Sequence, residues 1–156
     1  QLRETSEDTP QRRQLLLRIL VLATYVKRRK DMTISADRSS VLLVSRLSSA
    51  LRESCSNLSL SGISGNLYLP ETEMVLPIGT AFAAYDLFED ALELALDTLT
   101  YFLVTITEEQ EALTLRVNLE CTADLSALAR RWSGVTLEQD EDTWFLTKTL
   151  AGGEDA

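Results

Sequence analysis

The stretch AFAAYDLFEDALELALD, residues 81–97, carries two opposed patterns. Ala81, Ala84, Tyr85, Phe88, Ala91, Leu92 and Ala95 recur at the i, i+3, i+4, i+7 spacing of a helix stripe that faces a core. Asp86, Glu89, Asp90, Glu93 and Asp97 fall on the other side of the same helix. Like charges at i, i+4 repel by roughly 0.2–0.5 kcal/mol per exposed pair. That face has five acids and no base of its own, so water and salt must screen it or a cation must sit on it. A plain solvated face, a metal-assisted nucleotide site and a docking surface for a basic partner are the three readings open to it.

On the N-terminal side, residues 1–9 are polar and acidic and are expected to fray. Thr9-Pro10 marks a helix start, because proline suits a first turn. Residues 11–30 then read as a helix ending in Lys27-Arg28-Arg29-Lys30, cations that complement the C-terminal end of a helix dipole. An anionic lipid or acidic partner is the functional reading of the same cluster. Residues 31–35 are a strand candidate, with Met32 and Ile34 alternating. Asp37, Ser39 or Ser40 can cap the next helix, which runs to about Leu58 with Val41, Val44, Leu47, Leu51 and Cys55 on its apolar side. Ser61-Gly62 and Ser64-Gly65 punctuate, residues 66–69 read as a strand, and residues 70–77 as a loop.

After Thr100 the period falls from 3.6 to 2. Residues 101–107 and 112–119 form an antiparallel hairpin around Glu108-Glu109-Gln110-Glu111. Asp124 caps a short helix over 125–132, and Gly134 ends it. Residues 135–139 and 143–150 make a second hairpin around Asp140-Glu141-Asp142. The order of elements predicts an α+β, two-layer sandwich: a mixed, mostly antiparallel sheet with helices on one face. The expected division is a tail and linker helix over 1–30, a domain over 31–150 and a flexible acidic tail over 151–156.

The totals narrow the chemistry. A chain of 156 residues, 45% apolar and 25% charged, suits one globular domain. A net charge of -9 opposes nucleic-acid binding, and no aromatic-plus-basic surface offsets it. The chain has no histidine, which excludes a Ser/His/Asp triad, a Cys/His pair, an imidazole metal site and histidine phosphorylation within these residues. Cys55 and Cys121 lack CxxC spacing and read as reduced core or strand-end residues. The apolar run 15–26 is broken by Arg18 and is shorter than the ~20 residues that span a bilayer. A chain that starts at Gln1 is expected to be a fragment of something longer, with room for a membrane segment upstream.

This layout resembles the ATP-binding domain of sensor histidine kinases, the GHKL or Bergerat-fold ATPases, over residues 31–150. One carrier is Tyr85-Asp86-Leu87-Phe88-Glu89-Asp90-Ala91-Leu92-Glu93-Leu94-Ala95, which sits where the family keeps its N box over a magnesium-nucleotide site. The other is Leu125-Ser126-Ala127-Leu128-Ala129-Arg130-Arg131-Trp132-Ser133-Gly134-Val135-Thr136-Leu137-Glu138, similar to the family's last helix and following strand. Trp144-Phe145-Leu146-Thr147 resembles its final strand, and Tyr25-Val26-Lys27-Arg28-Arg29 the lead into the domain in some membrane-bound kinases. The resemblance implies a catalytic role for Glu89, which as an acid could act as a general base. It implies a metal pair in Glu89 and Glu93, the latter standing where the family has a magnesium-binding Asn. Asp86, Asp90 and Glu93 are the implied nucleotide-binding residues, with ATP and Mg²⁺ as cofactors.

The same comparison shows two departures. The family's Asp-x-Gly-x-Gly is replaced by Asn118-Leu119-Glu120-Cys121-Thr122-Ala123-Asp124, and the glycine-rich lid is missing. Phosphate cradles need small residues whose backbone N–H groups can close on oxygens. The expectation is therefore a cytoplasmic domain of a membrane-anchored receptor kinase, a transferase in two-component signal transduction, with weakened or lost ATP binding. The alternative is a pseudokinase: a non-catalytic regulatory or interaction module on the same fold. Implied partners are an upstream dimerisation helix, a response regulator and a second copy of the chain, with no nucleic acid.

Overall fold

A computed structural model describes residues 2–35, 40–110 and 112–151. In chain order the elements are α1 (Leu2–Ser35), β1 (Val41–Leu43), α2 (Val44–Leu60), β2 (Ser64–Tyr68), β3 (Val75–Pro77), α3 (Ile78–Ala95), a 3-10 turn (Leu96–Thr98), β4 (Tyr101–Glu109), β5 (Ala112–Glu120), α4 (Ala127–Arg131), β6 (Val135–Asp140) and β7 (Thr143–Ala151). The main sheet has five strands in the order β2-β4-β5-β7-β6. β2 runs parallel to β4, and every other pairing is antiparallel.

Alternation sets which side chains meet the helices. Phe102, Val104 and Ile106 on β4 pair in register with Leu119, Val117 and Leu115 on β5, and all six are buried. Leu146 on β7 continues that layer beside Val117. The stripes Val44, Leu47, Leu51 and Leu58 of α2, and Ala84, Phe88 and Leu92 of α3, close the core from the helical side. This is the two-layer, mixed, mostly antiparallel α+β architecture read from the sequence, and both hairpins lie where their alternation put them.

The N-terminal third differs from expectation. Residues 31–35 are not a strand: α1 continues through them to Ser35. Leu17, Val21, Thr24 and Met32 follow helical spacing and are buried on one side, so helical packing overrides the local alternation, and Ile34 is left exposed. The helix also extends upstream of Pro10, which lies within it rather than at its start. Lys27 to Lys30 are therefore not a C-terminal dipole cluster, because the last turn holds no base. The loop expected over 70–77 contains β3, which pairs with β1 in a separate two-stranded sheet with buried Leu42 opposite Leu76. Runs of three residues are too short to show a period.

The α2 cap was also misplaced. Its N-cap is Leu43, with no side-chain bond. The Val44 N–H donates to the Met74 carbonyl, and the Ile78 N–H to that of Ser40, both at 2.9 Å. Asp37 and Ser39 lie outside the described residues. Asp124 does serve the α4 turn: its carboxylate accepts the Ser126 N–H at 2.9 Å. Of the expected tail, Ala151 belongs to β7 and 152–156 lie outside the described residues.

Gly65 on β2 faces the Phe102 ring so closely that a Cβ there would overlap it. Phe102 is itself fully packed. Gly65→Ala is expected to destabilise the protein by about 1–3 kcal/mol, the range for overpacking a filled core. Urea unfolding, read as a lower midpoint at unchanged slope, checks it.

Candidate functional site: the carboxylate row of α3

Helix α3 buries its apolar stripe and turns Asp86 toward α1 and Asp90 toward α4. Of the five acids, Glu89 is buried, Asp86 and Asp90 are half-buried, and Glu93 and Asp97 are exposed. Asp86 accepts two hydrogen bonds from Arg29, Nε at 2.8 Å and Nη2 at 2.9 Å, the forked geometry that matches guanidinium to carboxylate. It accepts a third from the Tyr25 hydroxyl at 2.8 Å. The Arg29 guanidinium also lies 4.1 Å over the Phe82 ring. Asp90 accepts from Arg131 Nη1 at 2.6 Å and from Trp132 Nε1 at 2.9 Å. Asp97, just beyond the helix, meets Arg18 Nη2 at 2.7 Å and Gln14 Nε2 at 3.0 Å. Those contacts, Arg18 first, hold its carboxyl below the usual range.

The cations the row needs are thus the chain's own arginines, two from α1 and one from α4. No base falls on that face of α3 itself, because each arrives from 41 or more residues away in sequence. The bases at the middle of α1 are likewise engaged: Arg28 pairs with Glu53 of α2, and Lys27 approaches the same carboxylate at 3.6 Å.

Glu89 is the exception. Its side chain is buried, and its Oε2 has no hydrogen-bond partner among the described residues. Burial pushes its carboxyl up to about 8, and the neighbouring Glu93, Asp86 and Asp90 raise it further in the same sense. Glu93, one turn on, is exposed. Beneath the row, Tyr85 stacks between Tyr25 and Phe88, with ring centroids 5.6 Å and 6.4 Å apart. Its hydroxyl shares a 2.9 Å hydrogen bond with Ser54.

A cleft of about 320 Å³ is lined by Asp86, Glu89, Asp90, Glu93, Leu22, Tyr25 and Trp132. All four site residues expected from the sequence converge there, and one wall is α1. The sequence reading missed Tyr25, Arg29, Arg131 and Trp132 as members of this site. No local pattern in the sequence ties Arg131 or Trp132 to Asp90. A larger open groove of about 750 Å³, lined by residues such as Ser48, Arg52 and Glu71, contains none of the expected site residues.

The residues of the row do not form a ready-made magnesium site. Mg²⁺ requires near-octahedral oxygen ligands, yet Asp86 and Asp90 are held by guanidinium groups and Glu89 favours its neutral form below pH 8. Among the described residues no group of three or more carboxylates or thiols is placed to hold a metal ion. The link from β5 to α4 offers no phosphate cradle either. Three of its N–H groups are used internally: Cys121 to the Asp142 carbonyl at 2.9 Å, Thr122 to Thr98 Oγ1 at 3.1 Å, and Ser126 to Asp124 Oδ1 at 2.9 Å. Trp144 Nε1 fastens the Ala123 carbonyl at 3.1 Å. Cys55 and Cys121 are buried free thiols, as expected.

Solved structures with the same architecture decide what the fold is. The histidine kinase domain of the Erythrobacter litoralis blue-light activated histidine kinase superposes with a TM-score of 0.61 at 13% identity, covering 83% of this chain and 74% of that one. The fold is that of a histidine kinase catalytic domain. The Acinetobacter baumannii histidine kinase AdeS gives 0.52 at 9% identity, over 90% of this chain and 83% of its own. The catalytic domain of histidine kinase ThkA gives 0.50 at 7% identity, over 70% and 92%. No protein-family model and no curated protein sequence matches the chain. Among the described residues no helix is long and apolar enough to cross a membrane.

Two outcomes follow from this histidine-kinase-fold site. Arg29→Met leaves Asp86 with Tyr25 alone and is expected to cost about 1.5–3 kcal/mol, the range for a charged hydrogen-bonded partner, read by denaturant unfolding. For Glu89, the folded state holds its proton between pH 4.5 and about 8 while the unfolded chain releases it. The unfolded state then binds fewer protons, so stability falls as pH rises through that window and levels off above it. Glu89→Gln lacks this term. Its melting temperature relative to the parent is expected to climb from pH 4.5 to 8 and stay constant beyond, as measured by thermal unfolding at stepped pH.

Proposed function

We propose that this chain is the ATP-binding-like domain of a two-component sensor histidine kinase that has lost Mg–ATP binding and works as a regulatory docking module. The observation that carries the reading is the occupation of the carboxylate row by Arg29 and Arg131. A triphosphate approaching this cleft would meet the exposed carboxyl of Glu93, which has no arginine partner among the described residues, and would have to displace arginines from closed ion pairs. Inserting a polyanion there without a metal is repulsive. The short link between β5 and α4 supports the same conclusion, since it holds no glycine and three of its N–H groups are already bonded.

On this reading the domain contributes no phosphoryl transfer of its own. The helix expected upstream, a response regulator, and a membrane-anchored receptor architecture are the context in which a non-catalytic copy of this fold would act. Its acidic surface suits a basic partner, consistent with the net charge of -9.

Titration with Mg-ATP and Mg-ADP, followed by calorimetry and thermal shift, tests it. No heat and no shift are expected at millimolar nucleotide. A ligand at a hundred times its Kd would stabilise by about 2.7 kcal/mol. A clear shift that disappears in the Glu89→Gln, Glu93→Gln double variant would overturn the proposal and restore the row as a nucleotide site.

A further inference from the structure

Helix α2 has a polar face beside its apolar stripe. Ser45, Ser48, Ser49 and Arg52 fall at i, i+3, i+4 and i+7 and so share one side of the helix. They line the open groove of about 750 Å³. Its other lining comes from Pro70, Glu71 and Glu73, which follow β2, and from Glu108 near the end of β4. β2 and β4 are the parallel pair, so both bring their carboxyl ends to this groove. The segment after β2 is pinned to the start of α2. The Val44 N–H donates to the Met74 carbonyl at 2.9 Å, and the Met74 N–H donates to Thr72 Oγ1 at 3.2 Å. The groove is thus shaped before any ligand arrives, and its volume is that of a small-molecule site.

Its polar groups are left unsatisfied. Ser48 is 6% exposed, and its Oγ has no hydrogen-bond partner among the described residues. Thr33 and Ser61 return their hydroxyls to the carbonyls four residues back, at 2.9 Å and 3.0 Å. Ser48 makes no such bond and lines the groove instead. A buried hydroxyl without a partner costs stability. Arg52 and the three glutamates line the same groove, yet among the described residues none of the four has an ion-pair partner. On α3, by contrast, Arg29 and Arg131 close on Asp86 and Asp90.

Opposite charges held apart in a hydroxyl-lined groove match a small ligand that carries both signs. We propose that this groove binds a free basic α-amino acid, with its carboxylate on Arg52 and the Ser48 hydroxyl and its ammonium groups on Glu71, Glu73 and Glu108. One guanidinium against three carboxylates favours a ligand with more positive than negative charge and turns away inorganic anions. No group of three acids among the described residues is placed to hold a metal ion. No aromatic side chain lines the groove as a platform for a sugar ring. None of the lining residues borders the carboxylate cleft of α3, so the inference is independent of whether that cleft binds nucleotide.

Titration of the full chain with L-lysine, without nucleotide, followed by calorimetry and amide NMR, tests it. Saturable binding with a Kd on the order of 1 mM is expected, with amide shifts centred on α2 from Ser45 to Arg52 and on the segment from Pro70 to Glu73. Arg52→Gln should weaken L-lysine about tenfold, the effect of losing one charged hydrogen-bond partner. It should not weaken cadaverine, which has two ammonium groups and no carboxylate. The Glu71→Gln, Glu73→Gln double variant should weaken both compounds. Ser48→Ala should bind L-lysine several-fold more weakly yet melt at a higher temperature, because it removes a hydroxyl that only the ligand satisfies. No binding at about 20 mM L-lysine overturns the proposal. So does L-lysine affinity unchanged by Arg52→Gln, or a set of shifts centred on Asp86 to Glu93 instead of on α2.

Discussion

A helix carrying a row of carboxylates can lie against the body of a protein only if positive charge reaches it. In this chain that charge comes from both ends of the molecule. Arg29 of α1 forks onto Asp86, and Arg131 of α4 caps Asp90. These contacts do more than neutralise α3. They tie α1, which precedes the sheet, and α4, which lies between its two hairpins, to the central helix. Tyr25 stacked on Tyr85, and Arg29 over Phe82, fill the space beneath the ion pairs. Partly buried pairs of this kind add little net energy over an apolar contact, yet removing either partner leaves a charge stranded. Their effect is to specify how α1 docks.

The same clamp explains the chemistry left in the cleft. With Asp86 and Asp90 engaged, Glu89 is the buried carboxyl whose Oε2 has no hydrogen-bond partner among the described residues, and burial keeps its neutral form favoured to about pH 8. The row is an internal electrostatic joint with one neutral acid at its centre. The fold, that of a histidine kinase catalytic domain, is built by the sheet and the apolar stripes rather than by the acids.

Much of the architecture was legible. The β4–β5 and β6–β7 hairpins announce themselves by strict alternation, and α2 and α3 by long apolar stripes. What failed was short or conditional. β1 and β3 span three residues each, which is less than any period needs. The Met32/Ile34 alternation looked like a strand because two residues cannot distinguish a period of two from a fragment of helix. The α2 cap was sought among polar side chains, but the Val44 N–H at its start is met by the backbone carbonyl of Met74, beside β3.

The α3 pattern determined by itself which side chains face the core and that Asp86, Glu89, Asp90 and Glu93 share one surface. That follows from helix geometry alone, since spacing in sequence is spacing in angle. Which of those acids would be paired, and which buried without a partner, was decided only in three dimensions. Arg29 lies 57 residues from Asp86, and Arg131 lies 41 from Asp90. Nothing local couples such positions, and only the packing of α1 and α4 on α3 brings their charges within hydrogen-bonding reach.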